Sequence, residues 1–102
     1  MIDRKMLKQI EDMQKKMARA HEDLANETVT ASAGGGAVTV EMTGHHEVVA
    51  VTIDQDAVDP EDVETLQDMV LTAFNAALEK AQELQQEKLG AITGGLNMPG
   101  LF

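Results

Sequence analysis

The spacing of apolar residues changes twice along this chain of 102 residues, and these changes constrain its fold. Near the N-terminus apolar residues recur every three or four positions, as on one face of a helix. Between residues 28 and 54 they alternate with polar residues, as on a strand, and from residue 59 the helical spacing returns. This order predicts an α+β fold in one domain, residues 1–102, with a long helix at each end of a small sheet.

The first predicted helix covers residues 3–27, and no Gly or Pro interrupts it. At 1.5 Å per residue it would reach roughly 37 Å, so it should project from the domain or pair with another helix. A Met-rich stripe of this kind is typical of core or dimer packing and also of adaptable binding surfaces. The stripe, called the α1 seam below, has heptad spacing and consists of Met6, Ile10, Met13, Met17, Ala20 and Leu24.

Residues 28–54 predict a three-stranded antiparallel meander. Three short β-prone segments are separated by the turns Gly34-Gly35-Gly36 and Gly44-His45-His46, and such short turns join antiparallel neighbours. Because side chains alternate across a strand, the apolar residues of a strand should share one face. The second strand would present Val38, Val40 and Met42, and the third Val49, Val51 and Ile53.

The last predicted helix covers residues 59–89. Asp59 is suited to cap it, and Pro60 fits the first helical position. The segment 90–102 holds four Gly and one Pro with few charges, and we expect this tail to order only against a partner.

Basic residues are concentrated at the N-terminus. Residues 1–19 hold six basic and three acidic residues, a net charge of +3, whereas the rest holds two Lys and 15 acids, a net charge of −13. On a helical wheel the six cations line the face opposite the α1 seam. Such a face could lie along a phosphate backbone, or it could be a solvated surface with i,i+4 ion pairs such as Lys8–Asp12. The six are Arg4, Lys5, Lys8, Lys15, Lys16 and Arg19.

Motifs that could carry catalysis or bind a metal have simpler interpretations here. The three consecutive Gly residues lack the Lys-Ser/Thr of a phosphate-binding loop, which favours a turn. His45 and His46 are adjacent, so on a strand they would point to opposite faces and could not readily share one ion. The acidic cluster at residues 54–62 departs from the EF-hand pattern and is better explained by helix capping.

Several classes of protein are excluded or disfavoured. The chain has no Cys, which rules out disulfides, thiolate zinc sites and Cys nucleophiles. No triad, paired catalytic carboxylates or nucleotide fingerprint is present, so we expect neither an enzyme nor a cofactor. No apolar run approaches the roughly 18 residues that span a bilayer, and we expect a soluble, cytoplasmic protein.

Four short motifs carry a family resemblance over essentially the whole chain. They are the pattern Gly-x-x-x-Val-x-x-Val-x-Ile-Asp ending at Asp54, the run Ala73-Phe74-Asn75-Ala76-Ala77, the run Glu87-Lys88-Leu89-Gly90, and Thr93-Gly94-Gly95-Leu96-Asn97-Met98-Pro99-Gly100. In this order and spacing the chain closely resembles the YbaB/EbfC family of bacterial nucleoid-associated DNA-binding proteins.

The resemblance implies a tweezer-like homodimer whose helical arms extend from a joined β core. It also implies a non-enzymatic protein that binds double-stranded DNA in the nucleoid, helps to organise it and influences gene expression. We expect mainly phosphate contacts, because aromatics are few and no base-reading helix is evident. The expected DNA-binding residues are Lys15, Lys16 and Arg19, supported by Arg4, Lys5 and Lys8, with Lys80 and Lys88 extending the patch. The alternative function is a protein-interaction module that uses the α1 seam and the apolar tail.

Overall fold

The computed structural model describes residues 3–93 and confirms the predicted order of helix, three-stranded sheet and helix. The sheet is antiparallel with strand order β1-β2-β3. The protein measures 70 × 25 × 17 Å, and its radius of gyration of 19.4 Å exceeds the roughly 13 Å of a compact domain of this length. The elements are α1 (Arg4–Asn26), β1 (Thr28–Ala33), β2 (Val38–Thr43), β3 (Val48–Ile53), a short 3-10 turn (Gln55–Ala57) and α2 (Val63–Thr93).

The core lies between α2 and one face of the sheet. Three alanines spaced four residues apart on α2 are fully buried, and their small side chains bring the helix close to the strands. The sheet contributes the face of β2 that the alternation predicted, together with one residue of β1. The core residues are Ala73, Ala77 and Ala81 of α2 with Ala31, Val38, Val40 and Met42 of the sheet.

The first helix is anchored to the sheet at its C-terminal end. The Gly44 amide donates to the carbonyls of Leu24 and Glu27, at 2.9 and 3.0 Å. A Cβ at Gly44 would lie 2.6 Å from Leu24 Cδ2 and 2.9 Å from the Leu24 carbonyl oxygen. Only glycine therefore permits this approach. At the other end of α1, the Asp3 carboxylate caps the helix by accepting from the Met6 amide at 2.8 Å.

Both predicted hairpin turns are present. The glycines between β1 and β2 all have positive φ, at 65°, 68° and 97°, a conformation in which residues with a Cβ are strained. In the second turn His46 has φ 67°, and His45 Nε2 lies 2.7 Å from the His21 carbonyl oxygen, so the imidazole donates to it. The second turn is thereby held against α1.

The predicted start of the last helix at Asp59 and Pro60 is wrong, because α2 begins at Val63. Asp59 instead closes a turn, in which its carboxylate accepts from the Glu61 amide at 2.9 Å and its carbonyl from the Asp62 amide at 3.0 Å. Asp62 caps the helix, with its carboxylate 3.4 Å from the Thr65 amide and 2.7 Å from the Thr65 hydroxyl. Pro60 lies in the turn before the cap.

The predicted end of the last helix at residue 89 is also wrong, since α2 passes through Gly90 and ends at Thr93. Ala91 and Ile92 in this last turn line a groove with α1 residues, and this neighbouring helix favours continued helical structure. The rest of the predicted tail, residues 94–102, lies outside the described residues.

Candidate functional site

The six N-terminal cations form one exposed surface along α1, called the basic surface below. From the first to the last of them is a helical rise of roughly 22 Å. Its densest part is a shallow groove lined by Lys15, Lys16 and Arg19, with the single carboxylate of Asp12. The basic surface consists of Arg4, Lys5, Lys8, Lys15, Lys16 and Arg19.

These cations carry no ion pairs within the part of the chain that the structure describes. Both ion pairs found among residues 3–93 involve Lys88, so no described carboxylate approaches the basic surface within 4.0 Å. The i,i+4 pairs considered as an alternative, such as Lys8–Asp12, are therefore not formed at that distance. A surface of unpaired cations retains its capacity to bind anions.

The other two predicted DNA-binding residues are engaged within the chain. The Lys80 ammonium donates to the Thr30 carbonyl at 2.8 Å. The Lys88 ammonium lies 2.5 Å from a Glu27 carboxylate oxygen and 3.9 Å from one of Asp23. Lys80 thus covers a strand, whereas Lys88 ties α2 to α1 and lines one groove with Lys16 and Arg19 of the basic surface.

The α1 seam is only partly covered. Ala20 and Leu24 are buried, whereas Met13 and Met17 are half-buried. Further toward the N-terminus, Met6 and Ile10 are 50% and 43% exposed. The first half of α1 therefore projects from the core with its apolar face open among residues 3–93.

A second apolar surface lies on β3, which is exposed along its whole length. Val51 and Ile53 pair with Val40 and Val38 of β2, so they share the sheet face that α2 covers over β2. They are nevertheless 50% and 41% exposed, because α2 lies over β1 and β2 and leaves β3 uncovered. A register shift near Glu41 and Met42 places Val48 rather than Val49 opposite Met42.

This surface continues onto α2. Lys80 reaches the outer strand β1, and Phe74 lies about 120° around the helix from Lys80, on the flank toward β3. Phe74 is 38% exposed and the neighbouring Leu71 59%. The sequence feature that could have indicated this apolar surface is the nearly continuous apolar run of residues 48–53. Such a run is typical of a strand that is covered on both faces. The β3 surface consists of Val48, Val51, Ile53, Leu71 and Phe74.

Two other kinds of site are not found in the described part of the chain. Among residues 3–93, no three His, Cys, Asp or Glu side chains come together in a group that could hold a metal ion. Within the same residues, no helix is long and apolar enough to cross a membrane.

The amino-acid sequence is similar to one protein family and to nucleoid-associated proteins of two bacteria. The family model described as the YbaB/EbfC DNA-binding family matches residues 2–96. A nucleoid-associated protein of Pelotomaculum thermopropionicum is 52% identical over 98 residues, which cover 96% of this chain and 93% of the relative. A nucleoid-associated protein of Chloroflexus aurantiacus is 47% identical over 102 residues, the full length of both chains.

A solved structure has the same fold. The crystal structure of an uncharacterised protein from Helicobacter pylori superposes with a TM-score of 0.71 at 27% identity. The match covers 85% of this chain and 92% of that one. The arrangement of α1, the three-stranded sheet and α2 is therefore shared between the two proteins.

Proposed function

Since the chain belongs to the YbaB/EbfC DNA-binding family, a non-enzymatic family of nucleoid-associated proteins, we propose that it binds double-stranded DNA through phosphate contacts. The basic surface of α1 makes these contacts. The observation that carries this proposal is that all six cations are exposed and that none is paired with a carboxylate of residues 3–93.

The position of the basic surface reduces the repulsion of DNA that the acidic net charge of the chain would otherwise cause. The chain carries a formal net charge of −10, which repels a phosphate backbone on average. Arg4, Lys5 and Lys8 lie on the projecting half of α1, away from the sheet and α2. The groove lined by Lys15, Lys16 and Arg19 contains a single carboxylate, that of Asp12. At physiological ionic strength charges separated by more than about 8 Å are largely screened, so the local positive charge of α1 governs a close contact.

We assign no base-reading role to this surface. Its side chains are Lys and Arg on one exposed helix face, and the only Phe, Tyr or Trp among residues 3–93 is Phe74, on the other helix, α2. Phosphate contacts of this kind fix position on the duplex and carry no sequence information directly. Binding should then be similar for unrelated sequences and should fall steeply with added salt.

We further propose that the protein acts as a homodimer joined at the β3 surface. Five large apolar side chains, each 38–59% exposed, lie on β3 and the adjoining flank of α2, at a sheet edge that has no neighbouring strand among residues 3–93. Exposed edges and patches of this kind favour self-association. A second copy fits because one patch can serve both partners of a symmetric pair. The dimer presents two copies of α1, as a tweezer-like clamp on DNA requires.

As part of the same proposal, the protein contributes to nucleoid organisation and gene regulation. Two α1 arms per dimer double the number of phosphate contacts, and linked sites raise the apparent affinity through their effective concentration. A sequence-independent binder with two arms is suited to coating or compacting DNA.

The test is a salt titration of binding to a labelled random-sequence duplex by fluorescence anisotropy. The test variant is Lys15→Gln/Lys16→Gln/Arg19→Gln, and the matched control is Thr72→Glu/Gln82→Glu/Gln86→Glu on the exposed face of α2. Each variant lowers the charge by three units per chain. Because each phosphate contact contributes about 0.9 to the log–log salt slope, the test variant should lose up to about 5 of that slope per dimer.

The control separates local contacts from total charge. Since its three acids lie away from α1, it should retain nearly the wild-type slope. Equal losses in both folded variants, judged by circular dichroism, would show that total charge governs binding and would sink the assignment to α1.

The alternative function, a protein-interaction module, has one observation in its favour. Met6 and Ile10 of the α1 seam are half-exposed and could bind an apolar partner. This function predicts no duplex binding even at low salt, so the first point of the same titration separates the two functions.

A further inference from the structure

The α1 seam continues beyond the point where α2 covers it. Its inner residues Ala20 and Leu24 are buried, and its outer residues Met6 and Ile10 are half-exposed among residues 3–93. The seam therefore extends as an apolar stripe for roughly 17 Å from Met17 to Met6.

The contacts of α2 fix its direction along this stripe. Lys88 reaches Glu27 and Asp23, near the C-terminal end of α1. One turn later Ile92 lines a groove with Ala20 and Lys16. The two helices are thus antiparallel, and α2 ends at Thr93 where the uncovered part of the seam begins.

We propose that residues 94–102 of the same chain bind the α1 seam between Met17 and Met6. This segment carries no charged residue, and four of its nine residues are Leu, Met or Phe. Nine extended residues span up to about 30 Å, which is more than the length of the stripe. The apolar residues are Leu96, Met98, Leu101 and Phe102.

The covalent link between residues 94–102 and α2 favours binding of this segment over binding of another molecule. Since α2 delivers the segment to the inner end of the stripe, the segment binds at the high effective concentration of a short tether, on the order of millimolar. Binding on the seam also leaves the outer part of the basic surface open, because Arg4, Lys8 and Lys15 lie on the opposite face of α1, whereas Lys16 lies beside the seam. The segment would thus protect an apolar arm from aggregation without competing with DNA.

Engineered cysteines test this proposal in the 102-residue chain, which has no native Cys. The test pair is Ile10→Cys/Met98→Cys, and the matched control pair is Glu11→Cys/Met98→Cys, in which the first cysteine lies on the opposite face of α1. Under mild oxidation, the test pair should form an intrachain disulfide at least tenfold faster than the control, measured by mass spectrometry after peptide digestion.

Two results would overturn the proposal. Equal rates for the two pairs would mean that the segment does not prefer the seam. A disulfide that links two chains, seen as a doubled mass under non-reducing conditions, would assign the seam to the segment of a second copy.

A second measurement needs no substitution on the seam. In protein labelled at the methionine methyl groups, deletion of residues 94–102 should shift the NMR signals of Met6 and Met13. The signal of Met42, which is fully buried in the sheet, should stay unchanged and so reports an intact fold. Unchanged Met6 and Met13 signals would contradict the proposal.

Discussion

The Lys80 ammonium donates a hydrogen bond to the backbone carbonyl of Thr30, with 2.8 Å between Nζ and O. Thr30 lies in β1, at one end of the strand order, so the outer edge of β1 has no neighbouring strand among residues 3–93. A lysine on such an edge discourages further strand pairing. The two edges of the sheet therefore differ, because β1 carries a lysine and β3 carries an apolar surface.

The first prediction concerns the role of Lys80 in DNA binding. The sequence placed Lys80 among the DNA-binding residues, whereas its contact with Thr30 holds the ammonium against the sheet. We therefore expect Lys80→Gln to leave the salt slope of duplex binding nearly unchanged. Lys15→Gln should lower it by about 1.8 per dimer, since each of its two copies contributes about 0.9. The measurement is fluorescence anisotropy over a series of salt concentrations.

A reduction of the slope by Lys80→Gln as large as that of Lys15→Gln would place Lys80 in contact with phosphates. The mass of the Lys80→Gln variant in solution serves as a control, because an opened β1 edge could produce larger assemblies.

Local patterns predicted the sheet well because they are dictated by short-range geometry. Alternation identified the buried face of β2, and the Gly run identified the first turn, where positive φ excludes most other residues. Local sequence patterns did not determine the first residue of α2. Asp59 and Asp62 both have side chains suited to capping, and only the turn closed by Asp59 leaves Asp62 as the cap.

The site was predicted less completely because its arrangement depends on distant parts of the chain. The grouping of cations on one face of α1 follows from helical periodicity alone. The engagement of Lys80 joins residues 50 positions apart, and that of Lys88 joins residues 61 apart. The exposed β3 surface depends on where α2 crosses the sheet, which the spacing of apolar residues does not determine.

The second prediction tests the proposed dimer interface. Val51→Glu introduces a carboxylate at the centre of the β3 surface, and burying an unpaired charge in an apolar interface costs several kcal/mol. We expect this variant to be a folded monomer with weaker duplex binding. Sedimentation equilibrium gives its mass, and circular dichroism reports its helix content.

Val58→Glu is the matched control for this interface. Val58 is 51% exposed, nearly the same as Val51, but it follows the short 3-10 turn outside the β3 surface. The control should remain a dimer. A dimeric Val51→Glu protein would exclude the β3 surface as the interface between copies.

The third prediction concerns the anchor between α1 and the sheet. In Gly44→Ala the new Cβ would lie 2.9 Å from the Leu24 carbonyl oxygen, and backbone atoms cannot move away as a flexible side chain can. We expect a loss of about 1–3 kcal/mol in the free energy of unfolding, as for overpacked sites. Urea unfolding at a fixed protein concentration measures this loss, because the stability of the proposed dimer would depend on concentration.

The fourth prediction is an increase in the free energy of unfolding, opposite to the loss expected for Gly44→Ala. Gly90 lies inside α2, and a Cβ built there would meet no atom within 4 Å. Gly90→Ala should therefore raise the free energy of unfolding by about 0.5–1 kcal/mol per chain, since alanine restricts the unfolded chain more and favours the helix. The same urea titration measures the gain. A destabilised Gly90→Ala protein would mean that α2 does not continue through this residue to its end beside α1.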